Sequence, residues 1–535
     1  MPSPPTSGLN TYKGPWTENE IIHLLKRTLF GAQVQDIAYF KTRTLVQTIS
    51  ELLNPPDPLP QPPVKEYTVS SSALTPDSNI SLGQTWVNDP NTDGSVNSSR
   101  RASFKKWWMG VMVNQDRSLR EKMSLFWHNH FATDTNIIGN AQFVYKHHSM
   151  LRMNALGNFR TLLKEVTTDP GMLVYLNGQY NTAAAPDENY GRELQELFTV
   201  GKGPGSGYTE NDVKAAARVL TGWQNNSTTL TSSFNPKRHD TGDKQFSAFY
   251  NNTLVKGQTG TNGGDLEIDQ MLNMILATDE CPKFICRCLY RWLVYYDIDA
   301  TVEANIITPL AAIFRSNDFE IRPVLTALLQ SEHFFDTLIP GSQIKSPVDL
   351  IVGLCREFGI IFPPASNYAT NYSIWNWLVS TSATMAQDIG DPPDVSGWKP
   401  YYQEPQYYEI WINSDTLPKR NQFSDTMILA GRSFGGITIK IDGIRFAKTL
   451  SDPSDPNKLL DDCVNRLFRI PLSDQSKVTL KSDILLGGQI TDTYWTTAWN
   501  GYISNPSDMA NTMTVQNRIQ DLLKYLMDLA EFQLS

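Results

Sequence analysis

Three polar clusters in this chain have the residue types that catalysis uses, and all fall between residues 120 and 244. The first is Trp127-His128-Asn129-His130-Phe131. Imidazoles are general acids, bases and metal ligands. Two of them two residues apart cannot share one face of a regular helix. His128 and His130 could therefore ligate one divalent metal ion only where a helix ends or distorts. The competing expectation is buried, hydrogen-bonded histidines at a helix junction. The second cluster is acidic: Glu188, Arg192, Glu193 and Glu196. Glu193 and Glu196, three apart, could ligate a metal or share a proton. A buried Glu193 would have a raised pKa and could act as an acid, with Arg192 binding substrate. A ladder of salt bridges centred on Arg192 would leave the same sequence purely structural. The third is Lys237-Arg238-His239-Asp240-Thr241-Gly242-Asp243-Lys244. His239 and Asp240 could carry protons, while Arg238 and Lys244 could hold an anionic substrate. The Asp-Thr-Gly piece equally suits a plain turn.

Helical patterns must position these clusters. Residues 15–30 read as an opening helix, with Thr17 as N-cap, Glu20 as its capping-box partner and Gly31 as the stop. A second is expected at 34–53. Residues 104–131 form a long helical region broken near 114–118, and another covers 141–167. The acidic cluster sits on a helix whose apolar stripe is Tyr190, Leu194 and Leu197. The next helix has Thr209 as N-cap and Asp212 as the capping-box acid. Further helices are expected at 265–277, 281–296, 302–315, 321–330, 346–358 and 515–533. Residues 54–100 are Pro-rich and then Ser/Asn-rich, which predicts an extended or looped insertion. Residues 224–264 read as a polar loop with short strands near Phe234 and Phe246. Strand–helix alternation is absent, which argues against a doubly wound sheet. The expected fold is predominantly α, a multi-helix array with long loops and a few short strands. Its parts are a tail at 1–14, a core at 15–450 and a helical subdomain at 451–535 packed on that core.

Composition excludes several classes. With 535 residues, 40% apolar and 19% charged, the chain can build a large core and is not wholly disordered. Its net charge of −9 argues against a nucleic-acid surface, since the densest basic stretch is only Arg100, Arg101, Lys105 and Lys106. No apolar run reaches the length of a membrane span. Residues 1–10 lack the basic start and apolar stretch of a secretory signal. The chain is thus expected in the cytoplasm, or in the periplasm or outside the cell by export with a partner. Cys281, Cys286 and Cys288 resemble a metal cluster in count, but their surroundings, CPKFICRCLYRWLVYY, read as a buried helix. Phosphate loops, the GxSxG elbow, HExxH and EF-hand patterns are all absent.

Seven segments resemble the bacterial DUF1800 family. They are LLKRTLFGA at 24–32, LREKMSLFWHNHF at 119–131, the long run at 187–223, FNPKRHDTGDKQF at 234–246, IKSPVDLIVG at 344–353, DPPDVSGW at 391–398 and the closing LAEFQL. The resemblance runs from about residue 15 to the end. One departure is visible: the family often has Pro-Asn-Glu-Asn-Tyr where this chain has Pro186-Asp187-Glu188-Asn189-Tyr190. The family name marks unknown function. The resemblance implies a mostly helical fold and no catalytic residues to carry over. It also implies a possible partner, since members are often encoded beside DUF1501 proteins, which resemble sulfatases and alkaline phosphatases. Two functions follow as expectations. One is a hydrolase acting on an envelope or extracellular polymer, with Glu193, His239 and Asp240 catalytic, Arg192, Arg238 and Lys244 binding substrate, and His128, His130 and Glu196 holding a metal. The other is a noncatalytic partner or scaffold of a DUF1501-type protein.

Overall fold

The computed structural model describes residues 7–55, 59–69 and 77–535. Parts of the expected tail and insertion therefore lie outside the described residues. Among the described residues helices dominate, and the strands form three two-stranded antiparallel hairpins. Two of these lie in the polar loop: Trp223–Asn226 pairs with Thr231–Phe234, and Lys244–Gln245 with Leu254–Val255. The third, at Arg432–Phe434 and Ile437–Ile439, has no counterpart among the expected elements. No helix among the described residues is long and apolar enough to cross a membrane.

Local chemistry explains most boundaries. Thr17 and Thr209 close capping boxes with Glu20 and Asp212. The 141–167 region is two helices, Ala141–Met153 and Phe159–Thr168, because Asn158 caps the second. The region at 34–53 is likewise Val34–Phe40 and Leu45–Leu53, the latter opened by a capping box on Thr44. The insertion ends earlier than its composition implied. Asp93 accepts from the amides of Ser95 and Val96 and starts a helix, Gly94–Val113, inside the Ser/Asn-rich stretch. Three of the four basic residues of that stretch pair with carboxylates of other segments, and the fourth is held by a carbonyl. Arg100 is fully buried against Asp77, Lys105 meets Asp388 and Asp391, and Lys106 meets Glu66; Arg101 donates to the carbonyl of Gly139.

Buried apolar side chains from Ile21 to Phe532 form one connected core, which runs on through 451–535. Two glycines set the approach of key segments. Gly31, at φ +123°, crosses Gly353 so closely that a Cβ would lie 2.9 Å from the Gly353 Cα. The helix Glu18–Thr28 thereby ends against Pro347–Glu357 and brings Lys26 and Arg27 toward Asp349 and Glu357. Gly397, at φ +88°, lies on Asn129, whose Oδ1 accepts from the Trp398 amide at 2.9 Å. This contact docks the 391–398 segment on the Trp-His-Asn-His helix.

Candidate functional site

The helix Glu280–Leu293 has two faces. Cys281, Ile285, Leu289 and Tyr290 are buried in the core. Glu280, Phe284, Arg287, Cys288 and Arg291 follow at helical spacing along the other face, and these line a cleft of about 1050 Å³. Opposite stand Phe126, Asn129 and His130 from Arg120–His130, Glu196 and Lys202 from the acidic segment, and Tyr401, Tyr402 and Tyr407 from the loop after DPPDVSGW. Its aromatic rings touch one another: Trp292 lies 5.5 Å from Phe126 and 4.5 Å from Tyr401 between centroids. Several of its charges are held in place. Arg287 clamps Glu280 at 2.5 Å and Glu303 at 2.7 Å. Glu196 pairs with Lys202, and Glu404 accepts from the Tyr407 hydroxyl at 2.6 Å.

Beneath the cleft, and sharing Arg291, Trp292, Tyr401 and Tyr407 with it, lies a smaller cavity of about 30 Å³. Its lining includes Lys26, Arg27, Lys122, Ser346, Asp349 and Tyr408. Lys26 pairs with Glu357 and Lys122 with Asp349, all at least largely buried.

The acidic segment is not a plain helix. An α-helical turn at Asn189–Glu193 passes into a π-helical stretch, Leu194–Thr199. Such stretches are rare and recur at functional sites. The Phe198 carbonyl accepts from His130 Nε2 at 3.0 Å, which joins the histidine motif to the acidic one. Glu193 is half-buried, and its Oε2 is enclosed without a hydrogen-bond partner. Burial, then the neighbouring Glu196, raises its pKa above the usual carboxylate range. Glu193 also acts on Tyr175, whose phenol is pushed up to about 12 by burial and then by Asp134, Asp394 and Glu193. Arg192 turns away from Glu196. It bridges Glu188 at 3.1 Å and Glu210 at 2.8 Å.

His128 and His130 part company, as their spacing requires. His130 borders the cleft, and burial pushes its pKa down to about 4. His128 packs edge-on between Trp108 and Trp398, is pushed down to about 3 by burial, and has no partner at Nε2. His147 and His148, one of which reads as exposed from the sequence, are both buried close by. Among the described residues, no three His, Cys, Asp or Glu side chains are grouped to hold a metal ion. The thiols of Cys281, Cys286 and Cys288 are free, and burial raises all three.

The third cluster lies outside the lining of the cleft and forms a network of its own. His239 Nε2 meets Glu267 at 3.0 Å, and its Nδ1 lies 3.0 Å from the Thr221 hydroxyl. Lys244 meets the other Glu267 oxygen at 2.5 Å and is wholly buried. Asp240 is gripped by Arg218 at 2.6 and 3.1 Å, and Arg238 donates to the Gln179 carbonyl at 3.3 Å. Of the expected site residues, only His130 and Glu196 line the cleft.

The residues that sequence reasoning passed over are Arg27, Lys122, Arg287, Arg291 and Asp349. Their signal was present. Lys26-Arg27 interrupts an apolar helix, and Lys122 and Asp349 lie in helical segments whose neighbours are buried. Most of the resembling segments meet at this place. Residues 24–32 supply Lys26 and Arg27, 119–131 supply Lys122 and His130, 187–223 supply Glu196, 344–353 supply Asp349, and 391–398 supply Ser396. The model of the family described as "Protein of unknown function (DUF1800)" matches residues 23–534. No curated protein and no solved structure matches the chain. With nearly its whole length matched, the chain belongs to the DUF1800 family.

Proposed function

We propose that the cleft binds a hydroxyl-rich polymer, a glycan strand of the cell envelope or exterior. One observation carries this reading: aromatic faces and pre-paired charges share the same walls. Phe284, Tyr401 and Tyr402 stand part-exposed in the wall and offer ring surface on which the C–H face of a sugar can lie, with the buried Trp292 ring packed against Tyr401. Glu280 and Glu303, clamped by Arg287, and Glu404, held by Tyr407, offer acceptors already oriented for hydroxyls. Little ordering cost then remains at binding. The cleft is at the upper end of small-molecule pocket sizes, which favours an oligomer over a single small metabolite. Titrating chito-oligosaccharides and uronic-acid oligomers against tryptophan fluorescence tests this. Binding that weakens at least about tenfold in Phe284→Ala supports it, because a stacked ring contributes about 1.4 kcal/mol or more. Indifference of the protein to both series sinks it.

Cleavage of that strand is a second reading, favoured by Glu193. Its carboxyl is enclosed, unpartnered at Oε2 and raised, and it stands three residues from Glu196, which lines the cleft. Two carboxylates in unlike environments are the usual arrangement for splitting acid and base roles. Here Glu196 would take a proton from the attacking water, and Glu193, set back from the lining, would supply the leaving oxygen's proton through an intervening water. Glu193→Gln should then abolish release of reducing ends while leaving binding intact. Unchanged release in that variant removes Glu193 from the chemistry.

A further inference from the structure

The floor cavity is unusual for its charge. Four cationic side chains line it, Lys26, Arg27, Lys122 and Arg291, against one carboxylate side chain, that of Asp349. That carboxylate is fully used, since one oxygen faces Lys122 and the other accepts from the Ser346 hydroxyl at 2.9 Å. Lys26 is matched by Glu357 behind the cavity. Arg27 is matched by no Asp or Glu side chain within salt-bridge distance among the described residues. It donates through Nη2 alone, to the carbonyls of Ile339 and Ser535 and to the Ser342 hydroxyl. Its Nε and Nη1 are buried without partners, and the residue is 3% exposed. Arg291 likewise meets neutral groups, the Tyr296 carbonyl at 3.2 Å and the Tyr407 ring at 5.1 Å from its centroid.

Two more buried cations stand behind. Lys345 donates to the Phe532 carbonyl, and Arg420 donates to the Lys345 carbonyl and to Gln533 with its Nη1 unpartnered. Burial, with Lys26 and Arg420 as like-charged neighbours, pushes Lys345 down to about 7. A guanidinium in such a place is costly without a counter-charge, because desolvation is not repaid by Coulomb attraction.

We propose that Arg27, with Lys122 and Arg291, holds one compact monovalent anion in this cavity. The chemistry required is a single negative charge with acceptor lone pairs. It can come from a halide in solution or from the carboxylate of an acidic sugar whose body lies in the cleft above. Space for roughly two waters fits either and is small for a phosphate. Tyr408 adds a neutral donor to the wall, since burial pushes its phenol up to about 12. The halide form does not depend on the glycan reading and stands if that reading fails.

The full chain serves for the test. Crystals grown with bromide in place of chloride are measured at the bromine absorption edge. In parallel, melting is followed in bromide, and in sodium glucuronate against glucose, at constant ionic strength. The proposal expects a bromine peak at Arg27, or a saturable rise of roughly 2–4 °C with glucuronate but not glucose. A peak with no glucuronate response assigns the site to free halide, and the reverse assigns it to a sugar carboxylate. Arg27→Gln should abolish the response. No peak at Arg27 together with flat melting in both anions overturns the proposal, as does a response that Arg27→Gln retains. Should that variant fail to fold, the peak and the wild-type titrations decide alone.

Discussion

Two buried ionic clusters in this protein invite comparison, the His239–Glu267–Lys244 network and the Arg27 floor. Both bury several charges, and both draw part of their residues from segments that resemble the family. In the network, Glu267 spends its oxygens on His239, Lys244 and the Gln258 amide, while Asp240 is gripped by Arg218. None of the polar atoms of His239, Asp240, Lys244 or Glu267 is buried without a partner. On the floor, cations outnumber carboxylates, and Arg27 and Arg420 keep buried N–H groups unpartnered. A satisfied network stabilises the native arrangement by itself. An unsatisfied one is where a bound water or ion would find ready partners. The loop that read equally as a catalytic cluster or a plain turn thus has its charges matched, and the charges left over lie around Arg27.

The sharpest way to break this comparison is to damage the tie. Glu267→Ala leaves His239 and Lys244 buried without their anion and should cost about 3–5 kcal/mol in denaturant unfolding. Oligosaccharide binding at the cleft should survive in the folded fraction. A loss below about 1 kcal/mol would show that the network is not structural.

Acid sharpens the contrast at the cleft itself. His130 has a folded pKa near 4 against an ordinary value near 6.5, so below pH 6.5 the unfolded chain binds the extra proton. Its contribution is full above pH 6.5 and drains as pH falls toward 4, by up to about 1.4 kcal/mol per pH unit. His130→Leu should flatten the stability curve in that window, as read from urea midpoints at pH 7, 6 and 5. Parallel curves for the variant and the wild type would place the acid sensitivity elsewhere.

On the floor, Arg27→Met should change stability by no more than about 2 kcal/mol in halide-free buffer. Relief from burying an unmatched guanidinium offsets the three acceptors it abandons. A collapse comparable to that of Glu267→Ala would make the two clusters alike. The smallest effect is expected at Glu193. Its raised carboxyl is penalised when ionised, so Glu193→Gln should raise the melting temperature slightly at pH 7, with the gain fading as pH falls. A lower melting temperature would mean that the carboxylate is supported by contacts other than those seen.

Much of the fold was legible in the sequence because it rests on local rules. The capping boxes at Thr17 and Thr209 and the short strands beside Phe234 and Phe246 stand where they were expected. The start at Asp93 was hidden by a Ser/Asn-rich composition that resembles a loop, although an aspartate side chain caps a helix whatever follows it. The π-helical stretch at Leu194–Thr199 was invisible, since its α-like apolar spacing does not register one extra residue in a turn. Of the site, His130 and Glu196 could be picked out as chemistry-bearing types. Their meeting through the Phe198 carbonyl could not.

What the sequence determined by itself was the helical class, the caps and which residue types were available for chemistry. Those depend on neighbours within a few positions. Tertiary structure alone decided which charges are matched. Lys26 finds Glu357 and Lys122 finds Asp349 across more than two hundred residues, while Arg27, beside Lys26 in the chain, finds no carboxylate side chain within salt-bridge distance among the described residues. Adjacent side chains on a helix point in different directions, so two equal charges one residue apart can meet opposite fates once the packing partners arrive.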